Sequence, residues 1–292
     1  MNFGLGASKD IDTIAKIIKE ERFDIVALQE VKGNSALNRL LSTSLLSGYS
    51  GVADDGYVND YAFLWNTSRV CLAHTEEANV SRTYQPRIYK QYRVDRKSGQ
   101  KDLVRDPYFA RFFPIGGGAP FIEIRIINTH IRYSKGQSGN AEDSLSLGAI
   151  AMRKNEFDVL TKAIYAKEAD KRYGNNRPAY TILLGDYNLN IRSSGAGSPY
   201  LEECFEISDA GNIKRILTTQ CELTTLKNPE GEQASGYSSN YDHFTYDAER
   251  FDGVSVKCSR VDSVGQYCGG DFKRHRWKIS DHVPVLMKLD LK

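Results

Sequence analysis

Near the end of the chain, Ile279-Ser280-Asp281-His282-Val283-Pro284-Val285 sets an acid and an imidazole side by side at the head of an apolar strand. Such a pair is equipped to move a proton or to help hold a metal ion, because imidazole titrates near neutral pH and a carboxylate is a hard oxygen donor. Alone the tripeptide is a weak signal, since a strand-end His is often a satisfied core residue. It has company upstream. Leu28-Gln29-Glu30, Asn128-Thr129-His130 and Gly185-Asp186-Tyr187-Asn188 each close an apolar run, and Tyr241-Asp242-His243 stands near a fourth.

The runs before these clusters, Asp24–Leu28, Ile122–Ile127 and Tyr180–Leu184, are short and rich in Ile, Val and Leu, which reads as strand. Polar groups that recur where buried strands run out form a site assembled from several loops on a rigid sheet. Turn chemistry alone would supply Gly, Asn, Asp and Ser there, but not so regularly carboxylate, amide and imidazole. Two helices accompany the strands. Ser8 is placed to cap one carrying Ile11, Ile14, Ala15 and Ile18 on one face and Lys16, Lys19 and Glu20 on the other. A second is expected from about Leu145 to Lys167, with Met152, Phe157, Leu160 and Ile164 near helical spacing. Strands alternating with helices and hairpins point to an α+β fold.

No Pro/Gly/Ser-rich linker interrupts the 292 residues, so residues 1–292 are read as one domain. Hydrophobic residues at 40% and charged ones at 26% fit a globular protein, and no stretch approaches a membrane span. A net charge of +2 is too small to imply a polyanion partner, so any such reading rests on where the charge sits. It sits unevenly. Between Arg82 and Arg111 there are nine Lys or Arg against three Asp, with Tyr84, Tyr89, Tyr92 and Tyr108 interleaved. This basic, Tyr-rich insertion at about 82–105 suits a phosphate backbone and exposed bases, with Arg93, Arg96 and Lys97 as its candidate contacts. The competing reading is a solvated hairpin turning at Lys97-Ser98-Gly99-Gln100. A second basic cluster, Lys273-Arg274-His275-Arg276, is expected on the same edge as the Asp-His pair. The five cysteines lack metal-ligand spacing, and their odd number without a signal peptide favours reduced thiols and a cytoplasmic setting. Cys258 and Cys268 are spaced to pair across a hairpin, which would reverse that compartment reading.

Taken in order, Gln29-Glu30, Asn128-Thr129-His130, Gly185-Asp186-Tyr187-Asn188, Tyr241-Asp242-His243 and Ser280-Asp281-His282 resemble the endonuclease/exonuclease/phosphatase superfamily, from about residue 3 to the end. Within it, Val104-Arg105-Asp106-Pro107-Tyr108-Phe109-Ala110-Arg111-Phe112 is similar to the deoxyribonuclease I branch. The resemblance implies two stacked, mainly antiparallel β-sheets flanked by helices, a deoxyribonuclease I-like four-layer sandwich. It implies a Mg²⁺-dependent hydrolase of phosphodiester bonds, with Mn²⁺ able to substitute, Glu30 as first metal ligand and Asp281 near it. His282 then becomes the general base, oriented by Asp242, with Asp186 and Asn188 facing the attacking water and the phosphate. His130 would assist the leaving group, and Arg105 would contact phosphate. The expected substrate is nucleic acid, DNA foremost, cut by a monomeric nuclease. One alternative is a phosphatase or phosphodiesterase acting on a lipid or small phosphate ester; another is a catalytically weakened nucleic-acid-binding module.

The chain departs from the family pattern twice. Relatives open with a strand ending in Asn, whereas Asn2 matches only the later of two Asn positions, so a first strand is expected upstream of the start given. The Glu that usually partners the His130 imidazole is replaced by Asn59, ahead of Asp60 and Tyr61, and an Asn stabilises an imidazolium less well. His243 is expected to pack, and His74 and His275 stand in no motif.

Overall fold

A computed structural model describes residues 8–54, 61–77, 80–83, 87–88, 103–116, 122–133, 149–173, 177–192, 201–209, 212–219, 222–228 and 236–291. Its first helix, α1 (Ile11–Glu20), is capped by Asp10 and not by Ser8: the Asp10 carboxylate accepts the Thr13 amide at 3.0 Å. A carboxylate both satisfies an orphan N–H and complements the positive end of the helix. The 3.6-residue period then turns Ile14, Ile17 and Ile18 wholly inward, each burial worth about 1.5–3 kcal/mol.

After α1 come β1 (Ile25–Leu28), α2 (Gly33–Leu41), β2 (Tyr49–Ala53), β3 (Ala62–Asn66) and β4 (Val70–Leu72). Three short strands follow, β5 (His74–Glu77), β6 (Val80–Thr83) and β7 (Arg87–Ile88), then β8 (Tyr108–Pro114) and β9 (Glu123–His130). Next, α3 (Ala149–Val159) passes through a π-helical stretch, Leu160–Tyr165, into α4 (Ala166–Asp170). The second half holds β10 (Ala179–Asp186), β11 (Ile191–Arg192), β12 (Leu201–Glu202), β13 (Cys204–Asp209), β14 (Asn212–Thr219), β15 (Asp242–Asp247) and β16 (Val254–Arg260). It closes with α5 (Ser263–Cys268), α6 (Phe272–Lys278) and β17 (Val285–Leu291). The second helical segment thus ends at Asp170, three residues beyond Lys167, while its expected start at Leu145 lies outside the described residues.

The large sheet runs β13-β14-β15-β10-β9-β8-β4, with β7 also beside β8. Only β9 and β10 are parallel within it; the crossover between them carries α3 and α4 across one face. Facing its other side are β1-β3-β2 and the pair β16-β17, which no ladder joins among the described residues. Four layers result. Phe157, Leu160 and Ile164 pack under Ile127, Leu183 and Ile216 on the helical face of the large sheet. Between the sheets lie Phe63, Tyr108, Phe112 and Ile126, and further along Ile182, Phe244 and Tyr246 against Val256, Val285 and Met287. Outside the small sheet, α1 and α2 bury Ile14, Ile18, Leu37 and Leu40 against Val26, Leu28 and Leu64. This is the expected sandwich of stacked, mainly antiparallel sheets flanked by helices.

Cys258 and Cys268 are both free thiols, on β16 and at the end of α5, so the pairing across a hairpin does not form. Asn2, Asn59, Asp60 and the turn at residues 97–100 fall outside the described residues. Among the described residues, no helix is long and apolar enough to cross a membrane.

Candidate active site

The site forms where the central strands of the large sheet end. Parallel register places Asp186 beside His130, and antiparallel register on the other flank of β10 places Asp186 beside Asp242. Three chemically able side chains therefore stand in one row, as the last residues of β9 and β10 and the first of β15. The sequence reading put them in loops after the strands; the structure puts them on the strands themselves, whose ladders fix their spacing. Gly185 makes the row possible. Its φ is 141°, and a Cβ there would lie 1.9 Å from the Thr129 carbonyl oxygen, so a side chain would force β9 and β10 apart.

His282 joins the row from the loop before β17. Its Nδ1 lies 2.7 Å from Asp242 Oδ2, with both side chains buried, and its Nε2 is 3.8 Å from Asp186 Oδ2. The loop is held tightly. The Ser280 hydroxyl accepts the His282 amide at 3.0 Å, and the Ser280 carbonyl is 2.8 Å from Nδ1 of buried His275, whose Nε2 meets the Ser263 hydroxyl. Burial pushes the His275 imidazole down to about 4, so it serves as a neutral strut. The Thr224 hydroxyl accepts the Tyr241 amide and also bonds the Asp242 carboxylate. Burial opposes charge on His282, but Asp242 and then Asp186 outweigh it and raise the imidazole to about 10. Burial likewise opposes ionisation of Asp242, and His282 reverses that, holding the carboxyl below its ordinary range.

The second imidazole behaves oppositely. His130 Nε2 is 3.5 Å from the same Asp186 oxygen, its amide donates to the buried Tyr61 hydroxyl at 2.9 Å, and Arg105 Nη1 stands 2.5 Å from its Nδ1. Burial first, then Arg105 and His282, hold its pKa well below the ordinary value. Asn188 adopts a left-handed φ of 51°, donates its backbone amide to Asp186 Oδ1 at 2.8 Å, and spends a side-chain donor on the Ile131 carbonyl at 2.7 Å. It orients Asp186 and ties two loops together, with Arg153 bonded to its carbonyl.

Glu30 follows β1 with φ 58°, an unusual backbone that turns it out of the strand direction. Gln29 is fully buried behind it, donating to Asn128 Oδ1 at 2.5 Å, while Asn128 donates to the Leu28 carbonyl and so clamps β1 to the large sheet. Burial lowers the Lys9 ammonium, and Asp281 and then Glu30 both pull the other way. Asp281 is further held by Arg276 at 3.5 Å, so the second basic cluster does reach this edge, as part of α6.

A family model described as the Endonuclease/Exonuclease/phosphatase family matches residues 1–282. The chain belongs to this family. Its members are metal-dependent hydrolases of phosphoester bonds. No curated protein sequence matches the chain. Among solved structures, D. rerio TDP2 humanized by 14 mutations aligns with TM-score 0.56 at 13% identity, covering 99% of this chain and 96% of that one. D. rerio TDP2 complexed with a single-strand DNA product aligns at 0.55 and 14% identity, covering 98% and 95%. ANGEL2, a 2',3'-cyclic phosphatase, in complex with adenosine-2',3'-vanadate, aligns at 0.53 and 16%, covering 98% and 87%. Identities this low carry the fold alone.

The donor set suits the divalent cation that the family implies. Glu30 and Asp281 are both close enough to act on the Lys9 ammonium, and Mg²⁺ takes few protein oxygens while keeping several waters. Among the described residues, no group of three or more His, Cys, Asp or Glu side chains is arranged to hold a metal. His243 packs as expected, its Nε2 on the Leu189 carbonyl and its ring 5.4 Å from that of Tyr187. Tyr61, Thr224 and His275 were invisible as site residues, because nothing local in sequence says which distant strand end they will support. Arg93, Arg96 and Lys97 lie outside the described residues.

Proposed function

We propose that this family member is a Mg²⁺-dependent nuclease that cleaves DNA by activating water with His282. The observation that carries the reading is the buried Asp242–His282 pair, whose free Nε2 faces Asp186. Asp242 on Nδ1 orients the ring and stabilises its imidazolium, and Nε2 takes a proton from water in the fraction of the protein where His282 is neutral, a fraction that grows as pH climbs toward about 10. Asp186, held by the Asn188 amide, orients that water opposite the phosphorus. Glu30 and Asp281 are the ligands for Mg²⁺, which when bound supplies charge neutralisation to a phosphate oxygen. A polymer substrate is supported by the basic, Tyr-rich insertion and by a TDP2 neighbour whose structure holds a single-strand DNA product.

The purified chain should nick supercoiled plasmid or degrade single-stranded DNA in Mg²⁺, and stop on chelation. RNA, 2',3'-cyclic nucleotides, phosphoinositides and bis(4-nitrophenyl) phosphate serve as parallel substrates. Turnover of a small or lipid phosphate ester with no DNA cleavage would overturn the nuclease reading and leave a phosphatase. Glu30→Gln keeps the side-chain shape and removes one charge, so its activity should require more Mg²⁺; an unshifted titration would remove Glu30 from the ligands.

A further inference from the structure

Arg105, expected to contact phosphate, also reaches an imidazole. Its Nη1 is 2.5 Å from Nδ1 of His130, an imidazole only 6% exposed. A guanidinium carries only N–H donors and does not deprotonate in proteins, so a nitrogen in hydrogen-bond contact with it must offer a lone pair. Nδ1 is therefore the acceptor, and the ring proton resides on Nε2, directed at Asp186 Oδ2 3.5 Å away. Protonating Nδ1 would set N–H against N–H and place two cations in contact in a buried site. The other groups around the ring are the Tyr61 hydroxyl on its backbone amide, His282 and Asp242 across the row, and Asp186 ahead of it. Asp242 is already matched by His282 at 2.7 Å, and the Asp186 oxygen ahead of His130 is shared with His282.

We propose that Arg105 is a positioning residue that locks His130 as the neutral Nε2–H tautomer, making His130 a hydrogen-bond donor to an anionic phosphate oxygen and not a proton source for the leaving group. This rests on the hydrolase reading above and divides the two imidazoles. His282, with a carboxylate on Nδ1, gains and loses a proton during turnover; His130, with a guanidinium on Nδ1, keeps one proton throughout. A carboxylate partner would permit the imidazolium, whereas this arginine forbids it. Leaving-group stabilisation must then come from electrostatics, because no proton passes from His130 to the departing oxygen.

Two readouts test the assignment. In ¹⁵N–¹H long-range correlation spectra of the labelled, metal-free protein, His130 should show the Nε2–H pattern unchanged from about pH 6 to 8. Arg105→Gln should give a ring that titrates in that range. An Nδ1–H tautomer or an imidazolium in the wild type would overturn the proposal whether or not any substrate is turned over, which separates its failure from that of the hydrolase reading. The second readout is the leaving group. His130→Ala should lower kcat by the same factor for an alkyl phosphodiester and for bis(4-nitrophenyl) phosphate, and His130→Gln, which keeps a donor near Nε2, should recover part of that loss. A general acid would instead matter about 10²- to 10⁴-fold for the alkoxide and hardly at all for nitrophenolate. That unequal loss would sink the proposal.

Discussion

β9 and β10 carry buried charge at both ends, and the two ends are built differently. Where β9 begins, Glu123 accepts Arg111 Nε at 2.6 Å, Arg111 Nη2 at 2.8 Å and Arg125 Nε at 2.7 Å, with all three residues at most 3% exposed. Tyr173 covers the two guanidinium groups, at 3.7 and 4.9 Å. Desolvation alone would raise Glu123, but the two arginines hold it below its ordinary range. Where β9 and β10 finish, His130, Asp186, Asp242 and His282 are as deeply buried, yet both Nε2 atoms face a single carboxylate oxygen at 3.5 and 3.8 Å, beyond good hydrogen-bond length. At the first end both Glu123 oxygens are taken by arginine donors. At the second, both Nε2 atoms are directed at one carboxylate oxygen that neither reaches. Burial of charge does not distinguish a site from a strut; what distinguishes them is whether the partners consume one another's hydrogen-bonding capacity.

Breaking each end should separate activity from stability. The largest effect is expected from His282→Asn, which retains a donor for Asp242 but no base: turnover per folded molecule should fall on the order of 10²- to 10⁴-fold. More than half the wild-type rate would remove His282 as base. At the other end, Glu123→Gln leaves two buried guanidinium groups poorly matched and should cost about 3–5 kcal/mol in denaturant unfolding, while the folded fraction keeps its specific activity. A loss under about 1 kcal/mol would mean that the cluster is not the strut described.

A pH series sharpens the contrast. Because the His282 pKa is raised, its pairing with Asp242 stabilises fully below the ordinary 6.5 and is lost as pH climbs through about 10. The Asp242 pKa is lowered, so the carboxylate's share is present above its ordinary 3.8 and lost as pH falls through the depressed value. The difference in thermal midpoint between wild type and Asp242→Asn should accordingly be largest from about pH 4 to 6.5 and shrink toward pH 10. A difference that stays flat to pH 10 would show that the pair is not ionic. The smallest effect concerns the basic insertion. Changing Arg93, Arg96 and Lys97 together to Ala should flatten the log-log salt dependence of DNA binding by about one unit per lost phosphate contact. Hydrolysis of a dinucleotide should be unaltered. An unchanged slope would leave the insertion as a solvated hairpin.

The sequence by itself determined the order of the chemistry-bearing clusters and the strands that end in them. Apolar runs that close on Glu30, His130 and Asp186, and one near Asp242, are local features, legible because strand burial and site polarity change sharply over two or three residues. The layered α+β fold followed from the same patterning. Local signals failed where a choice turned on competition between neighbours: Asp10 displaced Ser8 as helix cap because its carboxylate reaches the Thr13 amide. Only the tertiary structure decided which groups meet. That Asp186 stands beside both His130 and Asp242 is a matter of strand register, and that Gly185 must lack a Cβ is a matter of interstrand distance. Arg105, Tyr61, Thr224 and His275 reach the site from segments remote in the chain, so their roles exist only once β8, β9, β15 and α6 have packed. Residue type is carried by each position alone, whereas proton ownership depends on which donor lies against which lone pair, and that distance is set by the packed sheets.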